Sequence, residues 1–324
     1  MGQRRGAPAA ERTARRGARA RMLPRVFTGI AGHLQILSAA LLFSTGGAAI
    51  KLCALSSWQI AGFRSALAVA IFALLRPNWR DCLRPAVLGV GAAYASVLVL
   101  FVSANKLTTA ANAIFLQNTS FLWVMLLGPA LLNERLRARD LGFGAAVVLG
   151  MTLIFLGAEP PTHTAANPPL GNLLGALAGF AWGLALLGLR ALARTSQIGA
   201  SNPADSAVLM GNVMVALVCL PLALPVQPAQ PIDWLVVVYL GVFQLALAYV
   251  FMTRGMRRLP ALEVALILLL EPVLSGVWAW LLHAERPGPA SLAGYALILG
   301  ATLSRALLSA RSGRALAERQ AVTR

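Results

Sequence analysis

The sequence predicts an all-α membrane protein whose ten transmembrane helices form two inverted five-helix repeats. Three observations predict this fold: ten apolar stretches, a one-sided distribution of basic residues, and an internal repeat. Of the 324 residues, 58% are hydrophobic and only 12% are charged, with a mean hydropathy of +0.71. Soluble domains carry about 25% charged residues. The composition is therefore that of a membrane protein, most of whose chain lies in the lipid bilayer.

Each apolar stretch is close to the ~20 residues that an α-helix needs to cross a bilayer. The polar, proline-rich segment GAEPPTHTAANPP separates the first five stretches from the last five. Charged residues, prolines and glycines bound the predicted spans, which are 34–52, 58–75, 86–104, 109–131, 141–156, 170–189, 205–224, 234–253, 261–282 and 291–308. We divide the chain into a basic tail (1–32), a first repeat (33–157), a linker (158–169), a second repeat (170–309) and a second basic tail (310–324).

Basic residues decide the predicted orientation. With both termini in the cytoplasm, all of the 28 Lys and Arg residues fall in cytoplasmic tails and loops, except Lys51, Arg64, Lys106 and Arg286. This bias obeys the positive-inside rule. We expect a multi-pass protein of the plasma (inner) membrane with an external linker. The net charge of +17 then indicates basic tails that contact anionic lipids, and no nucleic-acid partner.

An internal repeat relates the two halves. A shift of 151 residues places LLNER (131–135) on LHAER (282–286), and Ser120 on Glu271. Each half has five predicted spans, an odd number, so the second half enters the membrane from the opposite side. Inverted repeats of this kind are characteristic of secondary transporters.

Small residues recur at every fourth position in three of the predicted helices. Small residues at this spacing let helices approach closely in lipid. We therefore predict close helix contacts at three ridges: Gly171, Gly175, Gly179 and Gly183 in helix six; Gly142, Ala146 and Gly150 in helix five; and Ala296, Gly300 and Ser304 in helix ten.

The sequence resembles the EamA-type members of the drug/metabolite transporter superfamily over roughly residues 33–308. The resemblance rests on ordered and partly duplicated motifs: Phe43 with Lys51 in helix one, Trp182 with Arg190 in helix six, Arg64 in helix two, the Glu-Arg pairs at 134 and 285, and Leu-Glu-Pro at 270–272. Phe121 stands where members often have a proline, which predicts a straighter helix four. The resemblance implies a two-repeat transporter with a central cavity, often an exporter of amino acids or related metabolites.

Helix four carries four hydrogen-bonding residues near the bilayer centre, Gln117, Asn118, Thr119 and Ser120. Exposing them to lipid would cost several kcal/mol, so they face other helices or water. One interpretation is hydrogen bonding between helices. The other is that Gln117 and Ser120, three residues apart on one helix face, line a substrate path with Asn118.

Two ionisable residues lie inside predicted spans. Glu271 is near the centre of helix nine, where a carboxylate is costly and commonly marks function. It is either a cavity or coupling residue or a structural glutamate that is paired or protonated. Pro272 follows it and loosens the helix. Arg64 either extends to the outer interface or serves as counter-ion to an anionic substrate group.

Further polar and aromatic residues complete the candidates. Glu263 is closer to the interface and is predicted to form an ion pair with Arg257 or Arg258. Glu134 and Glu285 are predicted to cap helix ends. Aromatic residues in membrane helices commonly pack or anchor at the interface, but four residues are also candidates for a cavity wall: Tyr94, Trp182, Gln244 and Tyr249.

These patterns favour a secondary transporter of small metabolites that works by alternating access with a substrate site near the bilayer midplane. The sequence contains no HExxH, GxSxG or Walker A motif and no metal-ligand cluster, so we expect neither enzyme activity nor a cofactor. The alternatives are a membrane-embedded enzyme or lipid-handling protein, and a structural or assembly subunit that carries nothing across the membrane itself. The possibility of a homodimer also stays open. The substrate-binding candidates are Arg64, Gln117, Asn118, Ser120, Trp182, Gln244, Tyr249 and Glu271.

Overall fold

A computed structural model describes residues 31–74, 79–108, 110–134, 136, 138–156, 166–195, 202–226, 228–283, 288–290 and 292–304. Residues 1–30 of the first basic tail, the whole second tail, most of the predicted linker and the predicted cap Glu285 lie outside these residues. The orientation of the termini and the domain boundaries thus stay predictions.

The described chain is built from ten apolar helical segments. Prolines stand at the first position of four of them, where the missing backbone N–H costs no helical hydrogen bond. The helices are α1 (Ala31–Leu52), α2 (Ser57–Leu74), α3 (Pro85–Leu107), α4 (Ala110–Asn118 and Ser120–Leu132), α5 (Ala138–Leu156), α6 (Pro168–Thr195), α7 (Pro203–Leu222), α8 (Pro231–Met256), α9 (Ala261–Leu268 and Leu270–His283) and α10 (Leu292–Ser304).

Eight of these helices are long and apolar enough to cross a membrane. In α5 and α10 the apolar stretches found within the described residues are shorter, Asp140–Ile154 and Leu292–Ser304. The structure therefore confirms an all-helical, multi-pass membrane protein across the described ranges, while the count of ten spans stays a prediction.

Three helices are interrupted by a single turn residue: α1 at Thr45, α4 at Thr119 and α9 at Leu269. In α9 the break falls at Leu269 because Pro272 lacks the N–H that would bond to the carbonyl of Leu268. In α4 the break falls at Thr119, whose hydroxyl donates to the carbonyl of Leu116 at 2.6 Å. Such bonds compete with the helical ladder. Side-chain hydrogen bonding thus interrupts α4 without a proline, and the expectation that Phe121 makes α4 straighter than in other members stays a prediction.

Packing between the halves follows the repeat. The most extensive contact joins α3 of the first repeat to α6 of the second. α2 packs on α7 and α8, and α7 packs on α2 and α3. The α2–α8 and α3–α7 contacts are equivalent under the repeat, which relates α2 to α7 and α3 to α8. These packed helices surround the centre of the molecule, where the polar residues of several spans meet.

The glycine ridge of α6 faces α4 and the end of α3. A methyl group on Gly179 would lie 2.4 Å from both the Leu116 carbonyl oxygen and the Thr119 hydroxyl oxygen. On Gly183 it would lie 2.6 Å from Cβ of Trp123. These distances are too short for any side chain, so the predicted close approach is present here.

The ridges of α5 and α10 behave differently. A methyl group on Gly150 would lie 2.8 Å from Ile298 of α10, but one on Gly142 or Gly300 would meet nothing within 4 Å. Most of the predicted small residues instead line an open groove of about 460 Å³, together with Phe143, Leu297 and Ala301. The prediction of close contact along both ridges is therefore wrong except near Gly150, because the two helices diverge beyond that point.

Candidate functional site

A cavity lies between the two repeats. Its wall comes from α1, α2 and α3, the first part of α4, and α6, α8 and α9. The lining residues are Phe43, Arg64, Val97, Leu98, Phe101, Gln117, Trp182, Gln244, Leu245, Tyr249 and Glu271. Six of the eight predicted substrate-binding candidates are among them.

Arg64 enters the cavity from α2. Its side chain is only 1% exposed, so it does not extend to the interface. One guanidinium nitrogen donates to Oε1 of Gln244 at 3.3 Å, and the other donates to the carbonyl of Leu98 at 3.3 Å. The Nε–H is buried without a partner. Arg64 therefore keeps at least its Nε–H donor unused beside the cavity.

Glu271 enters from the first turn of the second half of α9 and is 7% exposed. Within the described residues, no side chain is hydrogen-bonded or ion-paired to it. In particular, it forms no ion pair with Arg64 across the cavity. A buried carboxyl group without a partner is costly in a membrane protein. The interpretation of Glu271 as a paired structural residue is therefore not supported by the described contacts.

An aromatic cluster forms another part of the wall. The ring of Tyr249 packs edge-on against Phe43, with ring centroids 4.9 Å apart, and more loosely against Trp182 at 6.1 Å. Phe43 and Trp182 are the aromatic residues of the two repeat-related motifs, and their rings lie 6.4 Å apart. The repeat thus brings both copies of the motif to one site, with aromatic surface beside Arg64 and Glu271.

The polar residues at the centre of α4 have different surroundings. Gln117 lines the cavity, and its Oε1 is buried without a partner. Asn118 instead donates to the carbonyl of Ile114 at 2.8 Å. Ser120 is buried away from the cavity, and its carbonyl faces Gly183 of α6. Asn118 and Ser120 therefore do not line this cavity, and their place on a substrate path stays a prediction.

Gln244 reaches Arg64 from an irregular part of α8. Residues Leu240–Leu247 form a π-helix, a wider coil that occurs frequently at functional sites. Gly46 of α1 admits the Gln244 side chain, because a methyl group there would lie 2.8 Å from Nε2. The π-helix and this glycine together place the amide oxygen on the guanidinium.

Some lining residues carried no signal in the sequence. Leu98 contributes its backbone carbonyl, which any residue would supply, and Val97, Phe101 and Leu245 are ordinary apolar residues. Phe43 did carry a signal, as the repeat partner of Trp182. Tyr94, a predicted wall residue, lies behind the wall and is fully buried against Tyr249.

A polar cluster closes the end of the molecule that we predict to be cytoplasmic. Glu134 accepts from the backbone N–H of Ala261, at the start of α9, at 3.0 Å and pairs with Arg190 of α6 at 3.4 Å. Arg190 also donates to the Met256 carbonyl. The left-handed backbone of Asn133, with φ of 53°, ends α4 just before Glu134. Glu134 thus caps a helix of the other repeat.

Glu263, at the same end, has a different partner from the predicted one. Its Oε1 lies 2.9 Å from Nε2 of His33 on α1. The prediction of Arg257 or Arg258 considered only residues near in sequence, whereas His33 reaches Glu263 from 230 positions away.

The opposite end is closed by hydrogen bonds between charged side chains and backbone groups. Asp233 of α8 accepts from the N–H of Ala54 at 2.7 Å. Lys106 donates to the carbonyl of Cys53 at 2.7 Å, and Lys51 donates to that of Thr108 at 3.2 Å. The space that water centres can reach in the cavity is only about 20 Å³, enough for one or two waters. The cavity is therefore contracted between two closed ends.

Comparison with known proteins decides the family. The sequence profile of the EamA-like transporter family matches residues 30–156 and again 169–304. The chain belongs to the EamA-like transporter family. The duplicated match confirms two repeats of one family unit, and the chain is a membrane transporter of small molecules.

The fold is also found among solved structures, where 28 chains match. One, described as "Crystal structure of protein", has a TM-score of 0.68 and 22% sequence identity; the match covers 86% of this chain and 98% of that one. At this identity the likeness shows the fold alone. No curated protein matches the sequence. Within the described residues, no group of three or more His, Cys, Asp or Glu residues is arranged to hold a metal ion.

Proposed function

We propose that this member of the family is a secondary transporter that exports amino acids or related zwitterionic metabolites across the inner membrane by alternating access. One observation carries the proposal: Arg64 and Glu271 line the same buried cavity without pairing with each other. A guanidinium and a carboxyl group held apart in an apolar surrounding are best satisfied by a ligand that carries both an anionic and a cationic group.

The groups around the cavity suit such a ligand. The unused Nε–H of Arg64 donates to a carboxylate, and hydrogen bonds between ionised partners are among the strongest in proteins. Glu271 accepts an ammonium group, and the faces of Trp182 and Tyr249 add cation–π attraction. The apolar side chain of the ligand packs among Phe43 and its neighbours. Gln117 offers an unpaired amide oxygen to the ammonium group.

Alternating access is supported by the size and closure of the cavity. A space for one or two waters cannot hold an amino acid, so helices must separate before substrate enters. At one end, opening breaks the contacts of Glu134 with Arg190 and Ala261; at the other, it breaks those of Asp233. Inverted repeats open one end while closing the other around a central site.

We propose that Glu271 also couples transport to protons. In the empty carrier the carboxyl group has no partner that favours its charged form. A bound ammonium group supplies one. Substrate binding then releases the proton, and substrate release restores it, which makes proton exchange part of the cycle. Export of the substrate follows the direction implied by the family resemblance.

Flux in proteoliposomes tests this proposal. The purified full chain is reconstituted, loaded with unlabelled L-phenylalanine, L-leucine or L-threonine, and tested for uptake of the same labelled amino acid by exchange. We expect saturable exchange of at least one of them. Phenethylamine lacks the carboxylate and 3-phenylpropanoate lacks the ammonium group, so both should compete much more weakly than L-phenylalanine when that is the substrate.

Controls separate the site from general loss of function. Arg64→Gln and Glu271→Gln should each abolish most exchange, whereas Glu263→Gln, which alters a carboxylate outside the cavity, should retain it. Equal competition by the zwitterion and by the two singly charged analogues would contradict recognition of both charges. Movement or turnover of lipid without any amino-acid exchange would favour the lipid-handling alternative.

A further inference from the structure

A hydrogen bond joins α8 to the residue at which α1 is interrupted. The hydroxyl oxygens of Tyr239 on α8 and Thr45 on α1 lie 2.8 Å apart. The Thr45 hydroxyl also donates to the carbonyl of Leu42, within α1, at 2.7 Å. Because a carbonyl only accepts, that second bond uses the single hydroxyl proton of Thr45. The Tyr239 hydroxyl is therefore the donor in its bond to Thr45.

The π-helix of α8 begins directly after Tyr239. In an α-helix each residue turns by about 100°, so side chains five positions apart point about 140° away from each other. A π-helix bonds each residue to the fifth one along, which brings such side chains to the same side of the coil. Tyr239 bonds to Thr45 of α1. Gln244, five positions later, lies against the next residue of α1, Gly46. The wider coil thus lets both side chains face α1.

The same coil packs tightly against α2. A methyl group on Gly241 would lie 2.9 Å from the carbonyl oxygen of Arg64 and 2.8 Å from Cβ of Leu67. The first turn of the π-helix therefore touches the backbone of the residue whose guanidinium donates to Gln244 at 3.3 Å. Because the interior is close-packed, a change of coil at Tyr239 shifts Gln244 relative to Arg64.

We propose that Tyr239 and Thr45 are positioning residues, whose hydrogen bond keeps α8 in the π-helical form that places the Gln244 amide oxygen on the Arg64 guanidinium. Without that bond the stretch relaxes toward the commoner α-helix. Gln244 then turns away, and the guanidinium loses the side chain that orients it. Neither Tyr239 nor Thr45 lines the cavity. The inference rests on the proposed function for its ligand, the carboxylate that Arg64 binds, so the pair sets the preference for carboxylate-bearing substrates.

A first experiment tests the pair without any substrate. The full-length protein is labelled with ¹³Cδ-glutamine, and Gln244→Met assigns the Gln244 resonance, whose shift depends on the hydrogen bond that the amide oxygen accepts. We expect Tyr239→Phe and Thr45→Val each to move this resonance, whereas Thr45→Ser keeps the hydroxyl and should leave it in place. Thr152→Val is the matched control, because the Thr152 hydroxyl donates to the carbonyl of Val148 in its own helix at 2.9 Å. A Gln244 resonance unmoved by both Tyr239→Phe and Thr45→Val overturns the proposal.

A second experiment measures exchange of L-phenylalanine. A hydrogen bond between neutral groups contributes roughly a two- to tenfold change in an equilibrium constant, so Tyr239→Phe and Thr45→Val should each raise KM by about that factor with kcat unchanged. Both should narrow the gap in competition between L-phenylalanine and phenethylamine, because a displaced guanidinium binds the carboxylate less well. Thr45→Ser and Thr152→Val should match the wild type. A rise in KM that leaves the gap unchanged indicates a merely structural role and overturns the proposal.

The double variant decides whether the two hydroxyl groups act as a pair. Both single variants remove the same hydrogen bond, so Tyr239→Phe should add nothing to the effect of Thr45→Val on KM. Additive effects, or losses of kcat with KM unchanged, overturn the proposal. If the wild type exchanges no amino acid, the proposed function fails, and the Gln244 resonance still decides whether the pair positions the amide.

Discussion

Gly179 offers a sharp test of the packing between the repeats, because its neighbours leave no room for a single methyl group. In Gly179→Ala, the new Cβ would lie 2.4 Å from the Leu116 carbonyl oxygen and from the Thr119 hydroxyl oxygen. A carbon and an oxygen in contact are ordinarily about 3.3 Å apart. The Thr119 hydroxyl is also hydrogen-bonded to the Leu116 carbonyl, so the two groups move together. To restore an ordinary carbon–oxygen distance, this part of α4 must move away from α6 by about 0.9 Å.

The cost follows from this displacement. Overpacking a well-packed site typically costs about 1–3 kcal/mol. With an unfolding entropy of about 2.1 cal/mol/K per residue, a chain of 324 residues loses roughly 1.5 °C of Tm per kcal/mol. We expect Gly179→Ala to lower the Tm of the detergent-solubilised protein by a few degrees and to reduce transport, since the break in α4 lies two residues beyond Gln117 of the cavity wall.

Glycines without neighbours supply the control. Gly142→Ala and Gly300→Ala add the same methyl group where nothing lies within 4 Å, and alanine favours helix over glycine by about 1 kcal/mol. Their Tm should stay level or rise. Fluorescence-detected thermal unfolding of the three variants side by side measures the difference. A Gly179→Ala protein as stable as the Gly142→Ala protein would refute the contact between α6 and α4.

Three other predictions concern the site and the topology. Glu271→Gln should reach the membrane but lose most flux or its pH dependence, while Glu263→Gln is milder; flux measured against pH decides, and an unchanged profile in Glu271→Gln would make this residue structural. Glu134→Gln removes the charge that faces Arg190 and should cost about 1.5–3 kcal/mol, seen as a lower Tm; an unchanged Tm would mean that the cluster does not hold the repeats together. A single cysteine in place of Thr162, in a cysteine-free background, should react with an impermeant thiol reagent on intact cells; reaction only after the membrane is opened would reverse the predicted orientation.

Much of the fold is visible in local sequence patterns. Spans appear because each must cover the bilayer with apolar side chains, and the α6 ridge appears because contact at every turn requires small residues at a spacing of four. Arg64 and Glu271 stand out for a related reason, since a charge within an apolar span is costly wherever the chain folds. The repeat is visible because both copies keep their aromatic and acidic residues in the same order, Phe43 before Glu134 and Trp182 before Glu285.

The candidate site depended on features that no local pattern carries. Gln117, Asn118 and Ser120 are all polar, yet of these three only Gln117 lines the cavity, because Asn118 donates back to the carbonyl of Ile114 and Ser120 lies against Gly183 of α6. The carbonyl of Leu98 that holds Arg64 belongs to the backbone and would be the same in any sequence. Tyr94 could be placed on the wall or behind it only once α7 and its Asn212, which donates to the Tyr94 hydroxyl, were known to pack there.

The sequence by itself thus determined the membrane class, the two-repeat family and the ionisable residues whose burial within apolar spans costs enough free energy to indicate a function. Tertiary structure alone decided which of those residues share a cavity and which partners they have, as when Glu263 pairs with His33 rather than a nearby arginine. The physical reason is one of range. Hydrophobicity and helical period act over one or two turns, whereas the contacts that build a site join helices that are distant in sequence and depend on the packing of all of them.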